Sequence, residues 1–146
     1  MTATNHGLAG AAIAISLQEY PVIAITLAFA SHFILDSFPH FGDDNLDIHS
    51  RKFYTILGFD MALAVASTLA LAWAWPHLWW LLILCAFLAA SPDLAWLYYR
   101  YLRPHAKLDR LSRFHSWIQW YQKPPGAVTE FAWYIVLFPA LLILGS

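Results

Sequence analysis

The chain has 146 residues, 60% of them hydrophobic and only 12% charged, with a net charge of −1 and a mean hydropathy of +0.54. A soluble globular domain carries roughly 25% charged residues, so the balance excludes one and points to a single membrane domain, residues 1–146. Nothing in so small a net charge calls for a nucleic-acid partner, and none is expected.

Eight Trp, seven Tyr and ten Phe fit the same medium, because rings with a polar tip favour the membrane–water interface. The single cysteine, Cys85, lies in an apolar run, so there is no disulfide framework and no thiolate zinc site. Ala28-Phe29-Ala30 resembles a signal-cleavage site, but no Lys or Arg precedes it, and Glu19 and Pro21 interrupt the apolar stretch. The N-terminus is therefore read as retained.

Five apolar segments follow in order: Gly7 to Leu17, Val22 to Phe38, Phe53 to Trp75, Leu78 to Tyr99, and Ala127 to Leu144. Pro39, Pro76 and Pro124-Pro125-Gly126 punctuate them. A crossing needs about 20 residues, which the third and fourth reach and the fifth nearly reaches. The first two are short and fit a tilted or partly buried hairpin, with Gly7, Gly10, Ala11 and Ala14 allowing close helix packing. Between them lie an acidic loop from Phe41 to Lys52, in which Asp43, Asp44 and Asp47 could bind calcium weakly, and a basic aromatic segment, 100–123. In that segment Leu111, Phe114, Ile118 and Tyr121 recur at helical spacing, predicting an amphipathic interfacial helix from Asp109 to Gln122. The expected fold is all-α: a polytopic membrane bundle of about five apolar helices plus one interfacial helix.

Tracing these segments back and forth brings His6, His32, Asp36, His40, Asp60, Asp93, His115 and Glu130 to one level, together with every Lys and Arg. The positive-inside rule makes that level cytoplasmic, with the N-terminus inside. His32 and Asp36 are four apart and share a helix face, and His40 follows the break at Pro39. Imidazole with carboxylate suits zinc, and carboxylates such as Asp60 and Asp93 in apolar surroundings need a cation, a shared proton or an Arg partner. Simpler roles compete. Ser91-Pro92-Asp93 also makes a good helix start, His32 with Asp36 could be a structural pair, and His115 could face headgroups. Arg51, Lys52 and Arg113 could clamp a phosphate, or, like Arg100, Arg103, Lys107 and Arg110, set topology and meet anionic lipid.

The run Ser31-His32-Phe33-Ile34-Leu35-Asp36-Ser37-Phe38-Pro39-His40-Phe41 resembles the His-x-x-x-Asp, then Pro, then His element of the zinc-dependent phospholipase C and single-strand nuclease superfamily. Small bacterial membrane proteins identified as membrane-bound metal-dependent hydrolases are distantly similar to that superfamily. Asn5-His6-Gly7, the Asp60 helix, Ser91-Pro92-Asp93 and Phe114-His115-Ser116-Trp117 also look like features recurring in them. The resemblance implies His32, Asp36 and His40 as metal ligands, with His6 as an early one. It departs in lacking the Trp that opens the soluble enzymes, in a shorter Asp36-to-His40 gap, and in having no second His-x-x-x-acid pair. One to three ions are therefore implied.

The expectation is a membrane-embedded, metal-dependent hydrolase of a lipid phosphoester or pyrophosphate at the cytoplasmic face. His6, His32, Asp36, His40, Asp60 and Asp93 would hold zinc and lower the pKa of a bound water from 15.7 towards ~7 for attack on phosphorus. Arg51, Lys52 and Arg113 would bind the phosphate, and His115 or Glu130 would protonate the leaving group. A metal-ion or proton transporter and a non-catalytic scaffold are the rivals, the first weakened because the other level offers only Glu19 and His77.

Overall fold

The computed structural model describes every residue except Asp44, Asn45, Ile48, Pro104 and Ser146, and only the backbone of Arg100. Six helices form: α1 (Ala3–Ser16), α2 (Pro21–Asp36), α3 (Arg51–Ala74), α4 (Trp79–Leu97), α5 (Arg110–Ile118) and α6 (Ala127–Gly145). That is one more than the five apolar segments, and fewer of them reach across a bilayer. Three are long and apolar enough to cross a membrane: Arg51–Ala74, Trp79–Leu97 and Pro124–Gly145. The 14 residues of α1 extend only about 21 Å at ~1.5 Å each, against a hydrocarbon core of ~30 Å.

Local chemistry sets the helix starts. Thr2 caps α1 by accepting from the Asn5 N–H, Ser50 caps α3 by accepting from the Phe53 N–H, and Pro21 opens α2 where its missing N–H costs nothing. Where α3 turns into α4, the Trp75 indole N–H donates to the Leu141 carbonyl at 3.0 Å, tying that turn to α6.

Short as it is, α1 lies at the centre and packs against α2, α3, α4 and α6. Its Leu8, Ala11 and Ala14 are buried with Ala24 and Ala28 of α2, Leu71 of α3, Leu81, Leu82 and Cys85 of α4, and Leu141 of α6. Gly10 permits this closeness: a Cβ there would overlap the Cys85 carbonyl of α4. Large apolar side chains face outward instead, among them Val22, Phe59, Trp73, Val128 and Ile143. Small residues inside and large apolar ones outside is the distribution of a bundle that meets lipid.

Two irregularities position the polar groups. Within α4, Ser91–Asp93 tighten into a 3-10 turn, and beyond it Tyr98–Leu102 widen into a π turn. Pro92 has no N–H for the Leu88 carbonyl in α register or for the Ala89 carbonyl in 3-10 register. Ser91 supplies Leu88 from both its N–H and its hydroxyl, which leaves Ala89 O for a partner on another helix. After α5 the chain turns at residues 120–121 and then meets the loop after α2. His40 N–H donates to Tyr121 O at 3.2 Å and Lys123 N–H to His40 O at 3.1 Å, a short parallel pairing. The helix predicted to Gln122 therefore stops at Ile118, because the backbone of residues 121–123 is claimed by the loop after α2.

Candidate metal centre

His32, Asp36, Asp93 and His115 each bring one ligand atom into a group whose members all lie within 4.8 Å of one another, an arrangement that could hold a metal ion. The face shared by His32 and Asp36 on α2 is buried completely. The His32 Nε2 lies 2.9 Å from His115 Nε2 and 3.2 Å from Asp36 Oδ2, and His115 Nε2 lies 2.8 Å from the same Oδ2. Asp93 Oδ1 stands farther off, 3.6 Å from His32 Nε2 and 3.7 Å from His115 Nε2, on a side chain 39% exposed.

These separations have a geometric meaning. Zinc binds His nitrogen and carboxylate oxygen at about 2.0–2.2 Å, so the edges of a tetrahedron of such ligands are roughly 3.3–3.6 Å. The five distances just given run from 2.8 to 3.7 Å and bracket that range. Two carboxylates and two neutral imidazoles also bring the two negative charges that balance a divalent cation.

The rings are oriented from behind. His32 Nδ1 lies 2.7 Å from the Ala89 carbonyl released by the turn at Pro92. Since a carbonyl can only accept, Nδ1 carries the proton and the neutral ring turns the Nε2 lone pair inward, as metal-bound histidines do. Gln119, just past α5, donates to Asp36 Oδ2 at 2.9 Å and lies 3.2 Å from His115 Nε2. No sequence motif marks Gln119; only its place four residues after His115 hints at it.

Around the other oxygen of Asp36 stand His6 Nε2, 3.1 Å from Oδ1, and the amino group of Met1. The His6 and His32 rings stack with centroids 3.9 Å apart. His6 and His40 are fully buried, and His6 Nδ1 and His40 Nε2 have no hydrogen-bond partner among the described residues. The His40 Nδ1–H donates to Phe38 O at 2.8 Å, and burial pushes the pKa of this ring below its ordinary 6.5. A Cβ at position 126 would overlap the His40 backbone, so Gly126 is what lets the start of α6 close over it.

Asp60 and Glu130 are spent differently. Asp60 accepts from the Ala3 N–H at 2.8 Å, the Thr4 N–H at 3.1 Å and the Thr4 hydroxyl at 2.6 Å. Glu130 accepts from the Thr2 N–H at 3.0 Å, the Thr2 hydroxyl at 2.8 Å, Asn5 Nδ2 at 2.6 Å and the Phe41 N–H at 3.3 Å. Both carboxylates thus bind the first turn of α1, where unpaired N–H groups and the positive dipole end gather. Neither belongs to the four-residue group. His115, read from the sequence as a proton donor, does.

Ser91-Pro92-Asp93 does not open a helix with a side-chain cap; the Asp93 carboxylate turns to the two histidines instead. Arg51 and Lys52, at the start of α3, and Arg113 on α5 are exposed and take no part in the cluster's hydrogen bonds among the described residues. On α5 the buried residues are Ser112 and His115, while Leu111, Phe114 and Trp117 are exposed. This amphipathic helix turns its polar face to the site and its apolar face outward. The Asp109 carboxylate starts it, accepting from the Ser112 N–H at 2.7 Å, and that bond holds the Asp109 pKa below the usual carboxylate range.

No protein-family model, no curated protein and no solved structure matches the chain.

Proposed function

We propose that this chain is an integral-membrane, zinc-dependent hydrolase acting on the phosphoester or pyrophosphate of a lipid-like substrate. The observation that carries the reading is the convergence of His32, Asp36 and His115, with Asp93 beside them and His32 Nδ1 set against the Ala89 carbonyl. The donors are unequal in a way that favours catalysis over a purely structural ion. His32, Asp36 and His115 converge within 3.2 Å of one another, whereas Asp93 is more distant and exposed. Three tight protein ligands with a fourth position free is the pattern of catalytic zinc, where structural sites close all four.

When bound, such a cation supplies a water of lowered pKa and polarises a phosphoryl oxygen. Asp93, its Oδ1 3.6 Å from His32 Nε2 and 3.7 Å from His115 Nε2, would be the base beside such a cation. His6 and Gln119 hold Asp36 from its two oxygens, and the clamp of Asp60 and Glu130 on α1 keeps His6 in position. With both its oxygens engaged in hydrogen bonds, Glu130 is not the proton source for the leaving group. Arg113 and Arg110, exposed beside the apolar stripe of α5, suit an anionic headgroup in the cytoplasmic leaflet.

Metal analysis of the purified protein tests this. Near-stoichiometric zinc in the wild type, lost in His32→Ala and Asp36→Ala, is the expected result, and metal-free wild type would sink the proposal. Turnover of single-chain and diacyl lipid phosphates by the zinc-loaded protein, abolished by Asp93→Asn with zinc retained, then tests the chemistry.

A further inference from the structure

A cavity of about 200 Å³ opens between α2, α4 and α5 and ends at the metal centre. Phe29 and Leu111 stand at its mouth, 37% and 51% exposed. Phe33 and Ala95 form its walls, and its floor is made by two buried residues, Pro92 and His115. The mouth lies among outward apolar side chains, beside a helix long enough to cross a membrane. The floor shares His115 with the metal cluster.

From this we infer that the cavity is a lateral portal that admits one aliphatic chain from the bilayer and delivers the polar group at its end to His115, the one member of the metal cluster in its lining. The inference rests on the hydrolase reading and narrows its substrate to a chain-bearing amphiphile. Volume fixes how much of the ligand is taken up. Sites that enclose a whole small molecule measure about 300–1,000 Å³, so this cavity holds a segment of one chain, and the remainder stays in lipid. The lining is mostly apolar, with Ser91 and Ser112 beside the His115 imidazole as its polar groups. Phe33 is the gate, its ring centroid 5.3 Å from that of His32, 5.7 Å from that of His115 and 5.6 Å from that of Phe114. A free phosphate would gain nothing from such walls.

Photo-crosslinking of the reconstituted full chain distinguishes the outcomes, with dodecyl phosphate carrying a diazirine on its chain as probe. Adducts on the buried Pro92 and His115, unaffected by excess inorganic phosphate, are expected. Ala95→Trp should remove them while the zinc content stays that of the wild type, and Phe33→Ala should increase them, which keeps the test open if the tryptophan variant does not fold. Adducts confined to outward residues such as Leu27, Leu69 and Val136, or unchanged by both substitutions, would overturn the portal. Zinc measured on the same samples separates the two ideas. Zinc present without buried adducts overturns the portal alone, and buried adducts without zinc support it while overturning the metal reading.

Discussion

Carboxylates at one end of this bundle are satisfied in two ways. Asp60 and Glu130 face the backbone N–H groups and side chains of the first turn of α1, donors fixed by helix geometry and already paired. Besides the Met1 amino group, Asp36 faces imidazoles and the Gln119 amide. Those are side chains that can rotate, change tautomer or exchange a proton for a cation. A helix terminus solves the burial of a charge permanently, while a ring of histidines solves it in a form that a metal can take over. The first region anchors, and the second is available for chemistry.

Asp36→Asn against Asp60→Asn breaks this comparison most sharply. The first should abolish stoichiometric zinc binding and the second should leave it intact, as read by elemental analysis after gel filtration. Equal loss in both would mean that the clamp and the metal centre are one unit. Next in size is stability: Glu130→Gln removes the charge from a four-donor acceptor, and hydrogen bonds to charged groups contribute about 1.5–3 kcal/mol each. A loss on the order of 3 kcal/mol is expected in denaturant unfolding in detergent, with zinc stoichiometry unchanged. Gln119→Ala should weaken zinc affinity by roughly 10–100-fold, the usual effect of losing a group that orients a ligand. Competition with a chelator measures it.

Acidity sharpens the contrast further. Burial lowers the His40 pKa, so the folded state prefers the neutral ring and the unfolded state binds the proton more readily. The corresponding stability is complete above about 6.5 and is lost as pH falls below that towards the depressed value. Unfolding midpoints should decline over that window in the wild type and less steeply in His40→Gln. The smallest effect belongs to Asp109, whose lowered pKa has the carboxylate sense: its cap is present above the unfolded carboxylate pKa of about 4 and lost as pH falls through the folded value. Asp109→Ala should fray the first turn of α5 at neutral pH, seen as faster amide exchange at Ser112 with zinc still bound.

Much of this was visible in the chain. The shared face of His32 and Asp36 and the break at Pro39 follow from helical periodicity and turn chemistry, and close contacts join His6, His32, Asp36, Asp93 and His115, with His40 outside that group. The use of Asp60 and Glu130 was hidden. A sequence displays the carboxylate that needs a partner but not the backbone N–H groups that serve as one, so Asp60 reads as a cation ligand and Glu130 as a proton donor. Gln119 and the Ala89 carbonyl escaped for the same reason, since one lies past a helix end and the other is main chain. The central place of α1 was half visible in Gly10, Ala11 and Ala14, whose small size implied close packing without naming the helix they would meet.

That placement gives α1 an unusual history during synthesis. It precedes every element it packs against, yet the acceptors for its first turn arrive 56 residues later with Asp60 and 125 residues later with Glu130. Until then the Thr2, Ala3 and Thr4 N–H groups lack these acceptors, and in hydrocarbon each unpaired group would cost several kcal/mol. A nascent α1 is therefore better kept at the water interface than inserted on emergence. It would slide into the bundle last, like a keystone, and carry His6 to the site only when the rest of the arch is standing.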